Sequence, residues 1–399
     1  MTRTTRALLV TLLSLATTAC VEEVVAPAPP YPQRFAEVAS GFEHTCASTP
    51  AGVTYCWGNP AQSRLGIIGE EPGCDELGCG QPVPIRSDLR FDALAAGEAH
   101  TCGLVDEDVF CWGFNRFGQL GDDSSAVDNC WDDLPFRCSI EPRRIAVGVP
   151  LVSVTAARMH TCALTDEGRA LCWGWNIAGQ LGRGDKDELA HPRPEYVAGE
   201  LVFMDLRTAY GHTCGVTTTG DAYCWGSNEF GRLGTGDFGE RLTPAPVVGG
   251  ISFTRIAPGG HFTCGLTGEG EVYCWGWNWE GRLGTGNMND QTSPTRTLLP
   301  EPAIALSAGH HHSCAIGASG TVYCWGANHD GQLGDEGLGF RVTPQPVFLP
   351  QPAVRLGSGY THTCAITEDE RLYCWGSNAR GQLGFGDEPY RATPVPVNP

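Results

Sequence analysis

The sequence has 399 residues and a formal net charge of −19, with 45 acidic residues against 26 lysines and arginines. This charge excludes an ordinary nucleic-acid-binding role, because phosphate backbones repel an acidic chain. The 19 cysteines are an odd number, so in an exported protein one of them has to be explained separately.

The first 19 residues have the pattern of a signal peptide. A basic start, Met1–Arg6, precedes a mostly apolar run from Ala7 to Ala16, and Ala19 stands at the distance expected of a cleavage site. The apolar run is too short to span a bilayer as a mature anchor, and no other stretch of the sequence is long and apolar enough. We therefore expect residues 1–19 to be a signal peptide of an exported protein.

Cys20 follows directly, in the sequence Leu15-Ala-Thr-Thr-Ala-Cys20, which resembles the lipobox of bacterial lipoproteins. In those proteins cleavage before the cysteine follows diacylglyceryl modification of its sulfur. Setting Cys20 aside leaves 18 cysteines, an even number that can pair completely. Thr17 stands where an aliphatic residue is usual, so ordinary cleavage and free secretion remain the alternative. We expect an outer-membrane or cell-surface lipoprotein in which residues 20–33 form the lipidated cysteine and a Pro-rich tether.

Seven copies of Cys-Trp-Gly organise the rest of the sequence. Successive tryptophans are 50 to 61 residues apart, and a period near 50 indicates a repeat architecture. The tryptophans are Trp57, Trp112, Trp173, Trp225, Trp275, Trp325 and Trp375.

Each copy contains four short segments that predict strands. Three are rich in apolar and β-branched residues, and the fourth has the form Thr-Pro-x-Pro-Val, as at 393–397. Alternate prolines cannot donate ladder hydrogen bonds, so the fourth segment should lie at a sheet edge. Seven such sheets arranged radially cover one another, which predicts an all-β, seven-bladed β-propeller of four-stranded antiparallel blades over residues 34–399. The two ends of this region should meet and close the ring.

Fourteen cysteines lie in pairs nine or ten residues apart, one pair per copy, and each pair brackets a turn signal. Cysteines so placed face each other across adjacent antiparallel strands, so we expect seven disulfides within blades. The pairs are Cys46 with Cys56, Cys102 with Cys111, Cys162 with Cys172, Cys214 with Cys224, Cys264 with Cys274, Cys314 with Cys324, and Cys364 with Cys374. For the remaining four, Cys74 with Cys79 and Cys130 with Cys138 is the simplest arrangement, and cross-pairing also fits the sequence.

Six copies have a histidine two residues before the first cysteine of the pair. These are His44, His100, His160, His212, His312 and His362. One histidine and two cysteines are zinc ligands in principle, but these cysteines are strands apart in an exported chain, where disulfides persist. The fifth copy has Phe262 at the shared position. We therefore expect packing or hydrogen-bonding histidines and no metal site.

Two insertions, 67–81 and 122–141, interrupt the repeat at the same position of consecutive copies. They should project side by side from one face of the propeller. Their many acidic residues would suit calcium, and we expect no other cofactor. The predicted binding face consists of Phe114, Asp128, Trp131, Asp132, Asp133 and Trp175. The alternative is that both loops are solvated and are stapled by disulfides only for stability.

The repeat as a whole resembles that of the regulator of chromosome condensation family. Gly-x-x-His-Thr-Cys, Tyr-Cys-Trp-Gly, Asn-x-x-Gly-Gln-Leu-Gly and Thr-Pro-x-Pro-Val carry this resemblance over about residues 34–398. It implies a seven-bladed propeller, although the paired cysteines look like an exported bacterial branch. The best-known activity of the family is guanine-nucleotide exchange on a small nuclear GTPase, with chromatin binding through a basic tail. This sequence shows no basic tail, and an exported domain would not meet a cytosolic GTPase.

No catalytic signature of the Ser/His/Asp, metal-helix or nucleotide type is present in the sequence. We therefore expect a monomeric, non-catalytic scaffold of the cell envelope that binds a protein or a polysaccharide. Two alternatives remain. One is exchange activity, implied by the family resemblance, and the other is a hydrolase or lyase with its site built around the propeller channel.

Replacing Cys20 tests the predicted lipid anchor. Cys20→Ser should abolish both membrane fractionation and globomycin-sensitive processing, because the sulfur that carries the lipid is lost. Cell fractionation with immunoblotting measures both effects. A mature Cys20→Ser protein that stays in the membrane fraction would contradict the prediction.

Overall fold

The computed structural model of the protein describes residues 34–67, 73–75, 78–122, 137–386 and 388–397. These residues form seven four-stranded antiparallel sheets, arranged in a ring as the blades of a propeller. The predicted all-β, seven-bladed fold is therefore confirmed. No helix among these residues is long and apolar enough to cross a membrane. The signal peptide, Cys20 and the tether lie outside the described residues.

Every blade consists of four strands that follow one another in the chain and are hydrogen-bonded in that order. The strands of the described residues are β1 Glu37–Ser40, β2 His44–Ser48, β3 Thr54–Gly58, β4 Cys79–Pro84, β5 Ala93–Ala96, β6 His100–Val105, β7 Asp108–Phe114, β8 Cys138–Arg144, β9 Leu151–Ala156, β10 His160–Thr165, β11 Ala170–Trp175, β12 Ala190–Tyr196, β13 Phe203–Ala209, β14 His212–Thr217, β15 Ala222–Gly226, β16 Arg241–Pro246, β17 Phe253–Pro258, β18 Phe262–Thr267, β19 Val272–Gly276, β20 Gln291–Arg296, β21 Ala303–Ala308, β22 His312–Gly317, β23 Val322–Ala327, β24 Phe340–Val347, β25 Ala353–Ser358, β26 His362–Thr367, β27 Leu372–Ser377 and β28 Tyr390–Pro396. Three single-turn 3₁₀ helices are Ala61–Ser63, Glu229–Gly231 and Trp279–Gly281.

The first strand of each blade lines the central channel, and the fourth strand forms the outer edge. The Pro-x-Pro segment is this outer strand and belongs to the blade of its own repeat. In the last blade, for example, Pro396 of β28 is paired with Tyr373 of β27. The predicted edge position is correct. The outer strand has no further neighbour, so the missing N–H groups of its prolines leave no ladder hydrogen bond unmade.

The ring closes between blade 7 and blade 1 without any exchange of strands. Phe35 and Val397, at opposite ends of the described chain, belong to one hydrophobic cluster that also contains Trp57. The Phe35 amide donates a hydrogen bond to the Glu370 carbonyl at 2.7 Å. The two ends therefore meet at one joint as expected, but β1 is an inner strand and β28 an outer strand of different sheets.

The seven predicted disulfides within blades are all formed. In every blade the two cysteines are direct cross-strand partners on the second and third strands, with Cα–Cα distances of 4.0 to 4.1 Å. The bonds are Cys46–Cys56, Cys102–Cys111, Cys162–Cys172, Cys214–Cys224, Cys264–Cys274, Cys314–Cys324 and Cys364–Cys374. The predicted pairing is therefore confirmed for each of Cys46, Cys56, Cys102, Cys111, Cys162, Cys172, Cys214, Cys224, Cys264, Cys274, Cys314, Cys324, Cys364 and Cys374.

Each joint between blades is filled by a disulfide from one blade and the tryptophan of the next. Cys162–Cys172 packs in one cluster with Trp225, and Cys364–Cys374 packs with Trp57 across the closing joint. All seven Cys-Trp-Gly tryptophans are fully buried. The disulfides thus contribute apolar surface to the joints in addition to the covalent link.

A series of buried hydrogen bonds also crosses the joints. The histidine Nε2 of one blade lies 2.8 to 3.1 Å from the hydroxyl of the His-Thr-Cys threonine in the next. The pairs are His44–Thr101, His100–Thr161, His160–Thr213, His212–Thr263, His312–Thr363 and His362–Thr45. Each threonine hydroxyl donates to a main-chain carbonyl of the preceding blade, as Thr161 does to Gln119, so histidine Nε2–H must be the donor. The expected hydrogen-bonding role of the histidines is confirmed.

The series is interrupted at one joint. Blade 5 has Phe262 in place of histidine, and the facing residue of blade 6 is Ser313 instead of threonine. Both are buried, and the Ser313 hydroxyl donates to the Arg282 carbonyl at 3.2 Å. At this joint Phe262 and Ser313 therefore stand where the other six joints have a His–Thr pair.

The six histidines are neutral in the folded protein. Burial is the main cause and lowers the histidine pKa to about 3 for His100, His160, His312 and His362, and well below its usual value for His44 and His212. A neutral ring with its proton on Nε2 is the form that the threonine partners require.

The ring of histidines should make the protein sensitive to acid. Between pH 6.5 and 3 the unfolded chain binds protons that the folded ring excludes, so stability is complete above pH 6.5 and is lost as the pH falls. Each histidine adds a slope of about 1.4 kcal/mol per pH unit to the free energy of unfolding. Urea unfolding between pH 7.5 and 4.5 measures this slope.

A double variant isolates the effect of one histidine. His312→Phe with Thr363→Ser copies the pair that already exists at Phe262 and Ser313, so it should fold. The slope of its unfolding free energy against pH should be smaller than that of the wild type by the amount that one histidine contributes. An unchanged slope would show that the acid sensitivity arises elsewhere.

Candidate interaction face

One end of the propeller, here called the front face, carries two sets of connections. Because strands alternate in direction, the turns between first and second strands emerge at the same end as the connections between third and fourth strands. Both insertions begin in the latter type of connection, so their bases at Ile67 and Asp122 belong to the front face. The inserted segments are shorter than predicted, because Cys79 and Cys138 already begin fourth strands.

Residues of the first turn surround the mouth of the channel on this face. In each blade the residue that follows a Gly or Ala of this turn lines a cavity of about 120 Å³. These seven residues are Phe42, Glu98, Arg158, Tyr210, Gly260, His310 and Tyr360. Main-chain hydrogen bonds join several of these turns, such as Phe42 N–H to the Gly97 carbonyl at 3.0 Å.

Planar side chains of the mouth form a continuous row of tilted and edge-on ring contacts. Ring centroids are 3.7 Å apart for Phe42 and Tyr360, 4.4 Å for Tyr360 and His310, and 5.2 Å for His310 and Tyr210. The Arg158 guanidinium then lies 4.5 Å from the Tyr210 ring, and its Nε donates to Glu98 at 2.9 Å. Cation–π contact and the ion pair together fix this arginine in the row.

The row extends outward in two directions. Arg158 also lies 5.8 Å from the Trp175 ring, which stacks on Phe117 at 5.0 Å. From Tyr210 the contacts continue through His261 to Trp277, which stacks on Phe230 at 4.8 Å. We call this set the aromatic face. It consists of Phe42, Phe117, Arg158, Trp175, Tyr210, Phe230, His261, Trp277, His310 and Tyr360.

The charge of this face comes from arginines and carboxylates rather than histidines. Burial, followed by the charges of neighbouring groups, lowers the pKa of His261 to about 3 and that of His310 to about 2, so both are neutral. Burial raises the pKa of Glu98, which the charge of Arg158 opposes. Around the centre, the connection between third and fourth strands has a net negative charge in each of blades 3 to 7.

The channel behind the mouth has a volume of about 700 Å³. Glu37 and Asp205 are the carboxylates that line it among the described residues. Asp205 accepts from Arg207 at 3.2 Å and from the Ile256 amide at 2.8 Å, and Glu37 accepts from Arg355 at 3.2 Å. Both acids are therefore engaged in ion pairs. No group of three or more His, Cys, Asp or Glu in the described part of the chain is arranged to hold a metal ion.

The structure treats the predicted binding residues differently. Trp175 belongs to the aromatic face. Phe114 does not, because it is only 5% exposed and its cross-strand neighbour Cys138 is also buried, whereas Ala190 opposite Trp175 is exposed. Its prediction as a surface platform is wrong. The predicted binding residues of the second insertion lie outside the described residues; they are Asp128, Trp131, Asp132 and Asp133.

The remaining cysteines are also partly described. Cys74 and Cys79 form a disulfide, which agrees with the simplest pairing. Cys138 is disulfide-bonded as well, and Cys130 lies outside the described residues.

Sequence reasoning missed most of the aromatic face. Its central residues follow Gly or Ala in the first turn, at a position that varies from copy to copy. Aligning the seven repeats would have superimposed Phe42, Tyr210, His310 and Tyr360 at one position, which topology places around one opening.

The fold and the front face define a closed, disulfide-linked β-propeller with an aromatic surface at one end. The chain belongs to the RCC1-like domain family, which matches residues 135–399, and an RCC1 repeat is matched at 91–119.

Two relatives illustrate the range of the family. The chain is 31% identical over 212 residues to the ultraviolet-B receptor UVR8 of Arabidopsis thaliana, a match that covers 52% of this chain and 44% of the receptor. It is 29% identical over 218 residues to the probable E3 ubiquitin-protein ligase HERC4 of Homo sapiens, covering 53% and 19% of the two chains. The chain thus spans less than half the length of these relatives.

Solved structures share the fold. Human WBSCR16 has a TM-score of 0.74 at 24% identity, with 84% of this chain and 88% of that chain covered. Prp20p from Saccharomyces cerevisiae has a TM-score of 0.74 at 21% identity, with 92% and 87% covered.

Proposed function

We propose that this protein is a non-catalytic interaction scaffold of the cell envelope that binds a polypeptide through the aromatic face. The observation that carries the proposal is the uninterrupted contact of aromatic rings and arginine at the front face. Tyr, Trp and Arg are the residues that most often dominate the energy of protein interfaces. Here they are only partly buried and are held in place by one another, so little conformational freedom is lost on binding.

Two solved structures with this fold are described together with protein partners. The structure of Prp20p is described together with its binding to Gsp1p and histones, and yeast RCC1 was crystallised bound to Kap60. At 20 to 21% identity these likenesses show the fold alone. Nucleotide exchange is therefore not part of the proposal, and the predicted export separates this chain from cytosolic GTPases.

The location in the envelope rests on the sequence and on the chemistry of the joints. The signal-peptide pattern and Cys20 favour an exported lipoprotein, and buried disulfides in every blade suit an oxidising compartment. A monomer that is attached through its lipid would leave the front face available to a partner.

The state of the channel acids supports a non-catalytic role. Glu37 is paired with Arg355 of the neighbouring inner strand, and Asp205 is paired with Arg207 of its own strand. A general acid or base has to be able to exchange a proton with a substrate, which such pairing disfavours.

Capture of partners from an envelope extract tests the proposal. The immobilised residues 34–399 should retain a polypeptide, and Trp277→Ala with Tyr360→Ala should weaken its binding by about thirtyfold, the effect of losing a typical hot spot. Phe348→Ala is the matched control, because Phe348 is 87% exposed but lies in a connection at the opposite end. Equal loss in the control, or full binding by the double variant, would contradict the proposal.

A second variant separates the aromatic face from the insertions. Replacing 67–78 and 122–137 by the short connection 235–240, with Cys79→Ser and Cys138→Ser, should leave the melting profile of the propeller nearly unchanged. Binding should persist at reduced strength, because the second insertion begins at Asp122, in the same connection that carries Phe117 of the aromatic face. If this variant loses all binding while the Trp277→Ala, Tyr360→Ala variant loses none of its affinity, recognition belongs to the insertions.

A further inference from the structure

One position of the repeat is occupied by glutamine in some blades and by arginine in others. It precedes the Leu-Gly that ends the Asn-x-x-Gly phrase, and its main-chain carbonyl accepts the threonine or serine hydroxyl of the next blade. Four blades have glutamine, at Gln119, Gln180, Gln332 and Gln382, and three have arginine, at Arg64, Arg232 and Arg282. All seven side chains are buried.

Two of the arginines are fully supplied with oxygen atoms by the protein itself. Arg64 donates through Nη1 to the Glu98 carbonyl and through Nη2 to the Gln62 side chain, both at 2.9 Å. Arg232 donates through Nη1 to the Gly260 carbonyl at 3.3 Å and through Nη2 to the Glu229 carboxylate at 2.7 Å. The oxygen that meets Nη2 thus comes from an amide in one blade and from a carboxylate in the other.

Arg282 lacks these partners. Its Nε donates to the Trp279 carbonyl at 2.8 Å, but Nη1 and Nη2 find no hydrogen-bond partner among the described residues, although the side chain is fully buried. Glu280 occupies the position that Gln62 has beside Arg64. Its carboxylate bonds to His329 of the next blade and stays 3.6 Å from Nη2, beyond hydrogen-bond distance.

The plane of the Arg282 guanidinium is fixed, and the carboxylates of Glu280 and Asp290 are the charges that act on it. The guanidinium lies 4.3 Å from the ring of Trp277, which fixes its plane. Burial lowers the pKa of Arg282 to about 10, so it remains charged at neutral pH. Its charge contributes, after burial, to lowering the pKa of His311 to about 4, which leaves this neighbour neutral and without competing charge.

We propose that Arg282 is a receptor for a carboxylate of the partner polypeptide, an inference that rests on the function proposed above. A carboxylate matches the two unfilled Nη donors in a bidentate arrangement, and the chain already places a carboxylate on the equivalent nitrogen of Arg232. Entry requires the Glu280 side chain to turn away from the guanidinium. Trp279 is 59% exposed and the side chain of His329 is 60% exposed, so this part of the front face faces solvent.

Titration with a defined acidic peptide tests the inference. Acetylated hexaglutamate amide should quench or shift the emission of Trp277 and Trp279 and bind at least tenfold more tightly than the hexaglutamine peptide. Arg282→Gln should abolish this preference, and it introduces the residue that four other blades already have, so the fold should be kept. Arg64→Gln is the matched control, because each nitrogen of Arg64 already has an oxygen partner, and it should bind within twofold of the wild type.

Several outcomes would overturn the inference. The inference is wrong if the wild-type protein does not prefer hexaglutamate or if the Arg282→Gln variant binds it normally. It is also wrong if Arg64→Gln loses as much affinity as Arg282→Gln. Equal binding of inorganic phosphate would remove the assignment to a carboxylate, and tighter binding of an oligogalacturonate would assign the site to an acidic polysaccharide. If the envelope partner still depends on Trp277 and Tyr360 while hexaglutamate fails, the carboxylate receptor is wrong and the proposed function stands.

Discussion

The propeller depends on the hydrogen bond from a neutral histidine of one blade to a threonine hydroxyl of the next. The threonine hydroxyl in turn donates a hydrogen bond to a main-chain carbonyl, so six of the seven joints orient three groups in one chain of hydrogen bonds. Because these groups are buried, such a bond is strong when it is made and costly when it is broken. The tryptophan and the disulfide fill the same joint with apolar atoms. The ring is thus closed by the same His–Thr hydrogen bond, here His362–Thr45, that joins most other pairs of blades.

The sequence predicted what repeats and missed what does not. Strand number, edge strands and the seven disulfide pairs follow from residue spacing and local chemistry, and both are repeated in every copy. The aromatic face depends on Phe42, Tyr210 and Tyr360, which are 150 to 318 residues apart in pairs and meet only when the ring is closed. Phe114 was misplaced for a related reason, since its burial cannot be read from its own repeat, where the equivalent Trp175 is partly exposed.

The same logic explains why Arg282 could not be found from its motif. Arg64, Arg232 and Arg282 occupy equivalent positions, and their difference lies in which neighbour supplies an oxygen atom. That difference is set by residues at variable positions, with Glu280 drawn to His329 of another blade. The repeated residues therefore determine the fold of each blade, and the residues that differ between copies determine which partners an equivalent side chain has.

Because each blade contains four consecutive strands, its sheet can be completed as soon as its own segment of chain is available. The paired cysteines are no more than ten residues apart, so each can be oxidised within a hairpin that does not await distant segments. The topology thus allows the chain to fold one blade at a time, from its first residue onward. Closure of the ring at Phe35 and Val397 needs no strand to be inserted, so no sheet requires a partner strand from the far end of the chain.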